Sequence, residues 1–389
     1  MQTWAAVMTG RGTGAIATIQ VFGEQATQTV QRVFHPAGPK PTDFTQGKIV
    51  LGTIVDGSRP IDQVVIGCEG KDLYAIHCHG NPLITEAVMA LLERSGVTLV
   101  TPEALLTKVL SVGGGDAIQI EARLAQVRAR TLDGVRLIAN QVTVGLRPLV
   151  TRWSEMAIDE VKDQARKVLA DSVLGRPILE GCIAAIVGPP NTGKSTLLNW
   201  LADQDKALVA DMPGTTRDWV HAECRLGPLC LDLIDTAGLD QGLITGDDKA
   251  VEQAAQDRTL HMVDKADLVL LVLDGSQPAC QLDRVPVDRL TAKPVLAVLN
   301  KSDLPTRFNT AQWPSSLGHA VPVSAKCRIG REALAQAICR VCGVIDFSLE
   351  KPVAFTDRQR ALISQLVQTQ SHQAARGLIQ QLLHGPIEG

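Results

Sequence analysis

Two hydrophobic rhythms divide the chain. Up to about residue 115, apolar and polar positions alternate in short runs that end at glycine. The runs "GAIATIQVFG" (14–23), "KIVLGTIVDG" (48–57), "QVVIGCEG" (63–70) and "LYAIHCHG" (73–80) predict strands. "HPAGPKPTDFTQGK" (35–48) predicts a surface loop. "ITEAVMALLERSG" (84–96) predicts a helix ended by Gly96, and "TPEALLTKVLS" (101–111) a helix with Thr101 as cap and Pro102 at its first position. Residues 117–130 and 154–174 carry a 3.6-residue period, with Ser154 placed to cap the second stretch.

From residue 182 the rhythm changes to wholly apolar runs, each followed by a turn and an amphipathic stretch. "CIAAIVG", "CLDLIDT", "LVLLVLDG", "PVLAVLN" and "AVPVSAK" predict buried strands of a mostly parallel sheet with helices on both faces. Residues 357–384 return to helical periodicity, with Leu362, Leu366, Ile379 and Leu383 on the apolar face. The expected division is an N-terminal α+β domain (1–115), a helical segment (116–180), an α/β nucleotide domain (181–345) and a second helical segment (346–389). The α/β domain is thus inserted into a helical one.

Composition adds limits. A chain of 389 residues with 45% hydrophobic and 20% charged residues is ordinary for a globular protein. Aromatics are only 3%, so aliphatic side chains must fill the cores. A net charge of −3 gives no general pull toward nucleic acid or membrane. No apolar run is long enough to span a bilayer, and the start "MQTWAAVMTGRG" lacks a leader pattern, so a cytoplasmic protein is expected. The nine cysteines are scattered, which points to a reducing compartment. Cys339 and Cys342 form a lone CxxC on a predicted helix and read as small core-facing residues. His77 and His79 share a strand face without an evident third ligand and read as structural, and "RAR" (128–130) reads as a solvated helix face.

The chemistry is concentrated after residue 187. "GPPNTGKST" (188–196) follows an apolar strand and opens a helix. Its glycines let backbone N–H groups close on phosphates, Lys194 brings charge to the outer phosphates, and Ser195 is suited to Mg²⁺. "DTAG" (235–238) places Asp235 at a strand end, where it suits water-mediated Mg²⁺ binding, and Gly238 near a γ-phosphate. In "NKSD" (300–303) the Asp303 carboxylate matches the paired donors of guanine. Adenine lacks that pair, so GTP is expected over ATP. Asn300 contacts the ring edge, the Lys301 stem covers the base, and "SAK" (Ser324, Ala325, Lys326) adds a backbone contact.

In this order the four motifs resemble the Ras-like P-loop GTPases. "MPGTTRD" (212–218) resembles switch I of the TrmE–Era–EngA group. "AAVMTGRGTGAIATIQVFG" (5–23) and "YAIHCHGNPLITEAVMALL" (74–92) resemble the N-terminal domain of the MnmE (TrmE) family of tRNA wobble-uridine modification GTPases. The resemblance implies GTP contacts at Gly188, Asn191, Thr192, Gly193, Lys194, Ser195, Thr196, Thr215, Thr216, Asp235, Gly238, Asn300, Lys301, Asp303, Ser324, Ala325 and Lys326. It implies Mg²⁺ on Ser195, Thr216 and Asp235, and K⁺ on Asn191 in the place of an arginine finger. Lys194, Thr216 and Glu252 are the implied catalytic residues, with Glu252 of "KAVEQAAQDR" orienting water. The plainer reading of Glu252 is a solvated helix charge. Leu239, after Gly238, cannot orient water itself. A homodimer, a MnmG-like FAD protein and tRNA are the implied partners.

The sequence also departs from the family. It ends "LLHGPIEG" without a Cys-x-Gly-Lys tail, Gln20 stands where an arginine adjoins the folate site, and Asp240 replaces a usual arginine. Gln20 counts against folate, and the missing tail counts against tRNA modification. They keep open a GTP-dependent switch or assembly factor that has lost tRNA modification, and a GTP-binding subunit with little turnover.

Overall fold

The computed structural model describes residues 2–10, 12–38, 44–202, 222–235, 263–279, 293–308, 317 and 319–387. Two compact units are found, one formed by residues up to Leu124 and the other running from Ala125 to Leu383.

The first unit is built on a sheet whose described strands run in the order β3-β4-β5-β6-β2-β1-β7. They are β1 (Thr3–Val7), β2 (Ile16–Gly23), β3 (Phe34–Pro36), β4 (Ile49–Asp56), β5 (Arg59–Gly70), β6 (Leu73–His79) and β7 (Thr98–Leu99). Alternation puts Ile19 and Val21 of β2, Ile66 of β5 and Ile76 of β6 on one face. There they are buried with Val30 of α1 (Ala26–Val33) and Val88 and Leu92 of α2 (Pro82–Arg94). The opposite face carries polar pairs: Gln20 Nε2 donates to Glu69 Oε2 at 2.6 Å, and Thr18 Oγ1 lies 3.0 Å from His77 Nδ1. His79 lies 2.7 Å from Asp62, so the two histidines have separate partners. No group of three or more metal-ligating side chains occurs among the described residues. Thr101 caps α3 (Pro102–Val112) by accepting from Ala104 N at 3.2 Å, as expected.

The second unit holds a sheet with described strand order β13-β12-β11-β8-β10-β9. Its strands are β8 (Cys182–Val187), β9 (Ala222–Leu226), β10 (Leu229–Asp235), β11 (Leu268–Asp274), β12 (Val295–Asn300) and β13 (Val321–Pro322). All neighbours are parallel except β9 and β10. Every residue of β11 is buried, as befits a strand covered on both faces. Strand β9 was not anticipated: "AECRL" alternates on a sheet edge and lacks the apolar run that marked its neighbours.

Several helical expectations change. Residues 131–153 form α5 (Leu132–Thr143) and α6 (Leu146–Trp153), after α4 (Ala117–Arg128). Ser154 closes α6 and does not cap the next helix. That next helix, α7, runs Ile158–Glu180, beyond the expected end at 174 and through Pro177. Residues 357–384 form two helices, α10 (Asp357–Gln368) and α11 (His372–His384), following α9 (Arg331–Val341). The break falls where Thr369 turns extended.

The helices around 140 and the segment after 350 are joined by one buried side chain. Gln141 Nε2 donates to Leu137 O and Lys351 O, both at 3.0 Å. Its Oε1 accepts from Leu146 N at 3.0 Å and Val353 N at 2.9 Å. Beside it, Ala354 N donates to Ser172 Oγ of α7 at 2.8 Å, and Lys351 pairs with Asp171 at 2.9 Å.

The "RAR" reading is corrected at Arg130. This residue lies beyond the end of α4 and is not on a solvated helix face. Its guanidinium donates to Asp232 of β10 at 2.9 Å and Glu223 of β9 at 2.8 Å. Hydrogen bonds to Asp232 raise its pKa against the opposing effect of burial. The signal was invisible in sequence because its partners lie 102 and 93 residues away.

No helix among the described residues is long and apolar enough to cross a membrane. The described cysteines are all free thiols, and Cys339 is buried in the core as expected of the CxxC.

Candidate functional site

Parallel strands bring their carboxyl ends to one edge of the sheet, and the loops that follow them collect there. β8 lies between β10 and β11, and its chain continues into 188–193 before α8 (Lys194–Ala202) begins. Residues 235, 274, 300 and 324–326 leave the ends of β10, β11, β12 and the segment after β13 on the same edge. Motifs scattered from residue 188 to residue 326 therefore meet because the sheet is parallel.

The loop 188–193 is shaped by its backbone. Gly188 has φ +148°, and a Cβ there would lie 2.1 Å from Val272 O. Gly193 has φ +91°, and a Cβ would lie 2.3 Å from Asn300 Nδ2. No larger residue fits either position without displacing backbone or the Asn300 amide. Asn191 adopts φ +63°, a left-handed conformation that asparagine tolerates better than most residues. Thr192 is buried and its hydroxyl donates to Pro189 O at 3.0 Å. Lys194, 7% exposed, donates from Nζ to Gly188 O at 2.9 Å and Pro189 O at 3.0 Å. The ammonium is thus fixed across the mouth of the loop. Ser195 and Thr196 are exposed in the first turn of α8, where the helix dipole favours an anion.

The strand-end residues tie this loop to its neighbours. Asn300, 3% exposed, donates from Nδ2 to Thr192 O at 2.9 Å and accepts from Ala325 N at 3.0 Å. Lys301 has φ +64°, and its Nζ donates to Asn191 O at 2.8 Å and Asp274 Oδ2 at 2.7 Å. Ser324 is fully buried, and its hydroxyl donates to Asp303 Oδ1 at 2.6 Å. That bond holds the exposed Asp303 carboxyl below the usual carboxylate range, so it stays charged and acceptor-only at neutral pH. Lys326 is exposed. Asp235 ends β10 in register with Ile186, two residues before Gly188.

Gly188, Asn191, Thr192, Gly193, Lys194, Asn300, Lys301, Asp303, Ser324 and Ala325 are therefore linked in one hydrogen-bonded or steric assembly. Thr215, Thr216, Gly238 and Glu252, with Leu239 and Asp240, lie outside the described residues. Sequence reasoning missed Asp274. It accepts from Lys301 and, through Oδ1, from Ser276 N at 2.9 Å and Ser276 Oγ at 2.6 Å. Its signal was present: an acidic residue directly at the carboxyl end of a wholly apolar parallel strand.

Chemically, the edge offers a phosphate cradle beside a carboxylate held ready for a donor pair. The family model of 50S ribosome-binding GTPases matches residues 183–301, and that of the GTP-binding protein TrmE N-terminus matches residues 3–104. The tRNA modification GTPase MnmE of Heliobacterium modesticaldum is 30% identical over 381 residues, covering 87% of this chain and 81% of that protein. The MnmE of Thermotoga petrophila is 29% identical over 426 residues, covering 100% of this chain and 91% of its own length. Among solved structures, the FeoB G domain of Methanococcus jannaschii is 24% identical with a TM-score of 0.31, covering 42% of this chain and 97% of that one.

Proposed function

Because this chain belongs to the MnmE family of tRNA modification GTPases, we propose that it hydrolyses GTP to GDP and phosphate in support of tRNA wobble-uridine modification. The observation that carries the nucleotide reading is the joining of the 188–193 loop to the NKSD strand end through Asn300. Phosphate and base recognition are set at a fixed separation by that bond.

The proposed roles follow from the chemistry of each group. The backbone N–H groups of 191–196 and the Lys194 ammonium bind the β- and γ-phosphates and stabilise charge that develops as the terminal phosphoryl leaves. Asp303 accepts from guanine N1–H and the 2-amino group, and the Lys301 stem covers the base. Thr215 and Thr216 close over the γ-phosphate with Gly238, and Glu252 orients the attacking water.

The donors near the phosphates suit hard cations. Ser195 stands in the first turn of α8 and Asp235 ends the strand beside β8; with Thr216 they are the residue types that would hold Mg²⁺ through oxygen. Asn191, exposed and left-handed, offers an amide oxygen for K⁺. When bound, the two cations supply positive charge against the phosphates. The reading does not extend to folate: Gln20 is hydrogen-bonded to Glu69 and brings no cation to that sheet face.

The domain plan proposed with this function sets a GTPase portion (181–345) between helical segments 116–180 and 346–389, after an N-terminal domain (1–115). A homodimer, a MnmG-like FAD protein and tRNA complete the assembly, in the cytoplasm. The test is tRNA from cells lacking their own family member, analysed for the wobble-uridine modification with and without this chain. Restored modification that needs an intact Lys194 supports the reading. GTP hydrolysis without restored modification favours the switch or assembly factor.

A further inference from the structure

Asp274 has two carboxylate oxygens with two different tasks. Oδ1 accepts from Ser276 N at 2.9 Å and Ser276 Oγ at 2.6 Å, closing the turn after β11. A neutral asparagine would close that turn as well, since such turns need one acceptor and no charge. Oδ2 instead meets the Lys301 ammonium at 2.7 Å, and the carboxylate is only 9% exposed. A charge this buried is retained at a cost unless its partner uses it.

The partner is placed to use it. Lys301 follows the last residue of β12, in a left-handed conformation with φ +64°. Its Nζ also donates to Asn191 O at 2.8 Å, across 110 residues of sequence. Asn191 is itself left-handed, with φ +63°. Two residues in uncommon backbone conformations, one in the base-recognition motif and one in the phosphate loop, are thus held to each other by a single ammonium. Asp274 fixes where that ammonium sits.

We propose that Asp274 is a positioning residue of the nucleotide site, holding Lys301 so that the guanine-recognition motif and the phosphate loop are locked in register. The proposal rests on the reading of this edge as a guanine-nucleotide site. Burial works against the Asp274 charge, but the bonds from Lys301 and Ser276 outweigh it and keep the carboxyl below its usual range, so the charge is present at neutral pH. In Asp274→Asn the turn persists, while the amide presents either a neutral acceptor or a donor to the ammonium. Lys301 then loses its anchor, and bound nucleotide loses both its covering stem and a fixed loop.

The test is the release rate of a fluorescent GDP analogue from the full chain, measured well below the melting temperature. Four proteins are compared: wild type, Asp274→Asn, Lys301→Met and the double variant. Asp274→Asn should release GDP about tenfold to a hundredfold faster, the range expected when a charge-assisted hydrogen bond is lost. Adding Asp274→Asn to Lys301→Met should change the rate less than twofold, because both act through one contact. Saturating GTP should restore kcat in Asp274→Asn, leaving the defect in KM. Wild-type release from Asp274→Asn, or two effects that multiply in the double variant, overturns the positioning role while leaving the nucleotide site standing. A wild-type chain that does not bind the GDP analogue overturns the nucleotide reading and the proposal together.

Discussion

Asn300 and Thr192 are hydrogen-bonded across 108 residues, amide to carbonyl at 2.9 Å, inside a site where both side chains are buried. The other end of the same amide accepts from Ala325 N, so one residue holds three loops. Asn300→Ala should leave Thr192 O and Ala325 N without these partners. The expected destabilisation is about 2–4 kcal/mol, at about 1–2 kcal/mol per unsatisfied group, read by urea denaturation. GDP binding should fall with it, even at temperatures where the variant is fully folded.

Gly188→Ala tests the loop's backbone. The positive φ and the 2.1 Å approach of a Cβ to Val272 O leave no room for a methyl. Strain and overpacking together should cost about 3 kcal/mol. The variant should melt earlier and bind no GDP at concentrations that saturate the parent.

Asp303→Asn tests base recognition without disturbing the phosphates. Ser324 can still donate to the amide oxygen, so the loop should keep its shape. Guanine's two donors then meet an amide N–H, whereas xanthine's 2-oxo group can accept from it. GDP affinity should drop about a hundredfold or more while xanthosine diphosphate gains. Competition binding with both nucleotides checks this.

Much of the site was legible because each motif sits directly at the end of an apolar run. "CIAAIV" before GPPNTGKST and "PVLAVL" before NKSD mark buried strands, and a parallel sheet sends their ends to one edge. The placement of Asp303 and Lys194 at that edge follows from that alone. Arg130 and Gln141 could not. Their partners are set by tertiary packing, and neither residue differs locally from a solvated polar side chain. Ser154 misled because a serine before a periodic stretch fits a helix cap as well as the end of a preceding helix.

Arg130 makes a stability prediction with a sign in pH. Arg130→Met leaves Asp232, whose side chain is 7% exposed, without its cation and should cost about 3 kcal/mol. Arg130→Met with Asp232→Leu should cost less than the sum of the two single changes. Burial pushes the Glu223 carboxyl up, but hydrogen bonding and charge from Arg130 outweigh it and hold the pKa low. A carboxyl lower in the folded than in the unfolded chain contributes fully above the unfolded value, about 4.3. That contribution is lost as pH falls through the lower folded value. Wild type should therefore lose stability more steeply below about pH 4.3 than Arg130→Met.

Gln141 gives a second stability test. Gln141→Leu fills similar volume but removes the acceptor for Leu146 N and Val353 N and the donor to Lys351 O. A loss of about 3 kcal/mol is expected, with α5, α6 and the 351–354 segment exchanging amide hydrogens faster than the sheet.

The most direct test of the central claim is steady-state phosphate release from GTP by the full chain with Mg²⁺, in potassium and in sodium at equal ionic strength. Wild type and Asn191→Ala are compared. The account predicts hydrolysis of GTP and not ATP, raised by potassium in wild type, with the potassium effect lost in Asn191→Ala. Hydrolysis that is equal in the two salts, or stimulation that survives in Asn191→Ala, would contradict it.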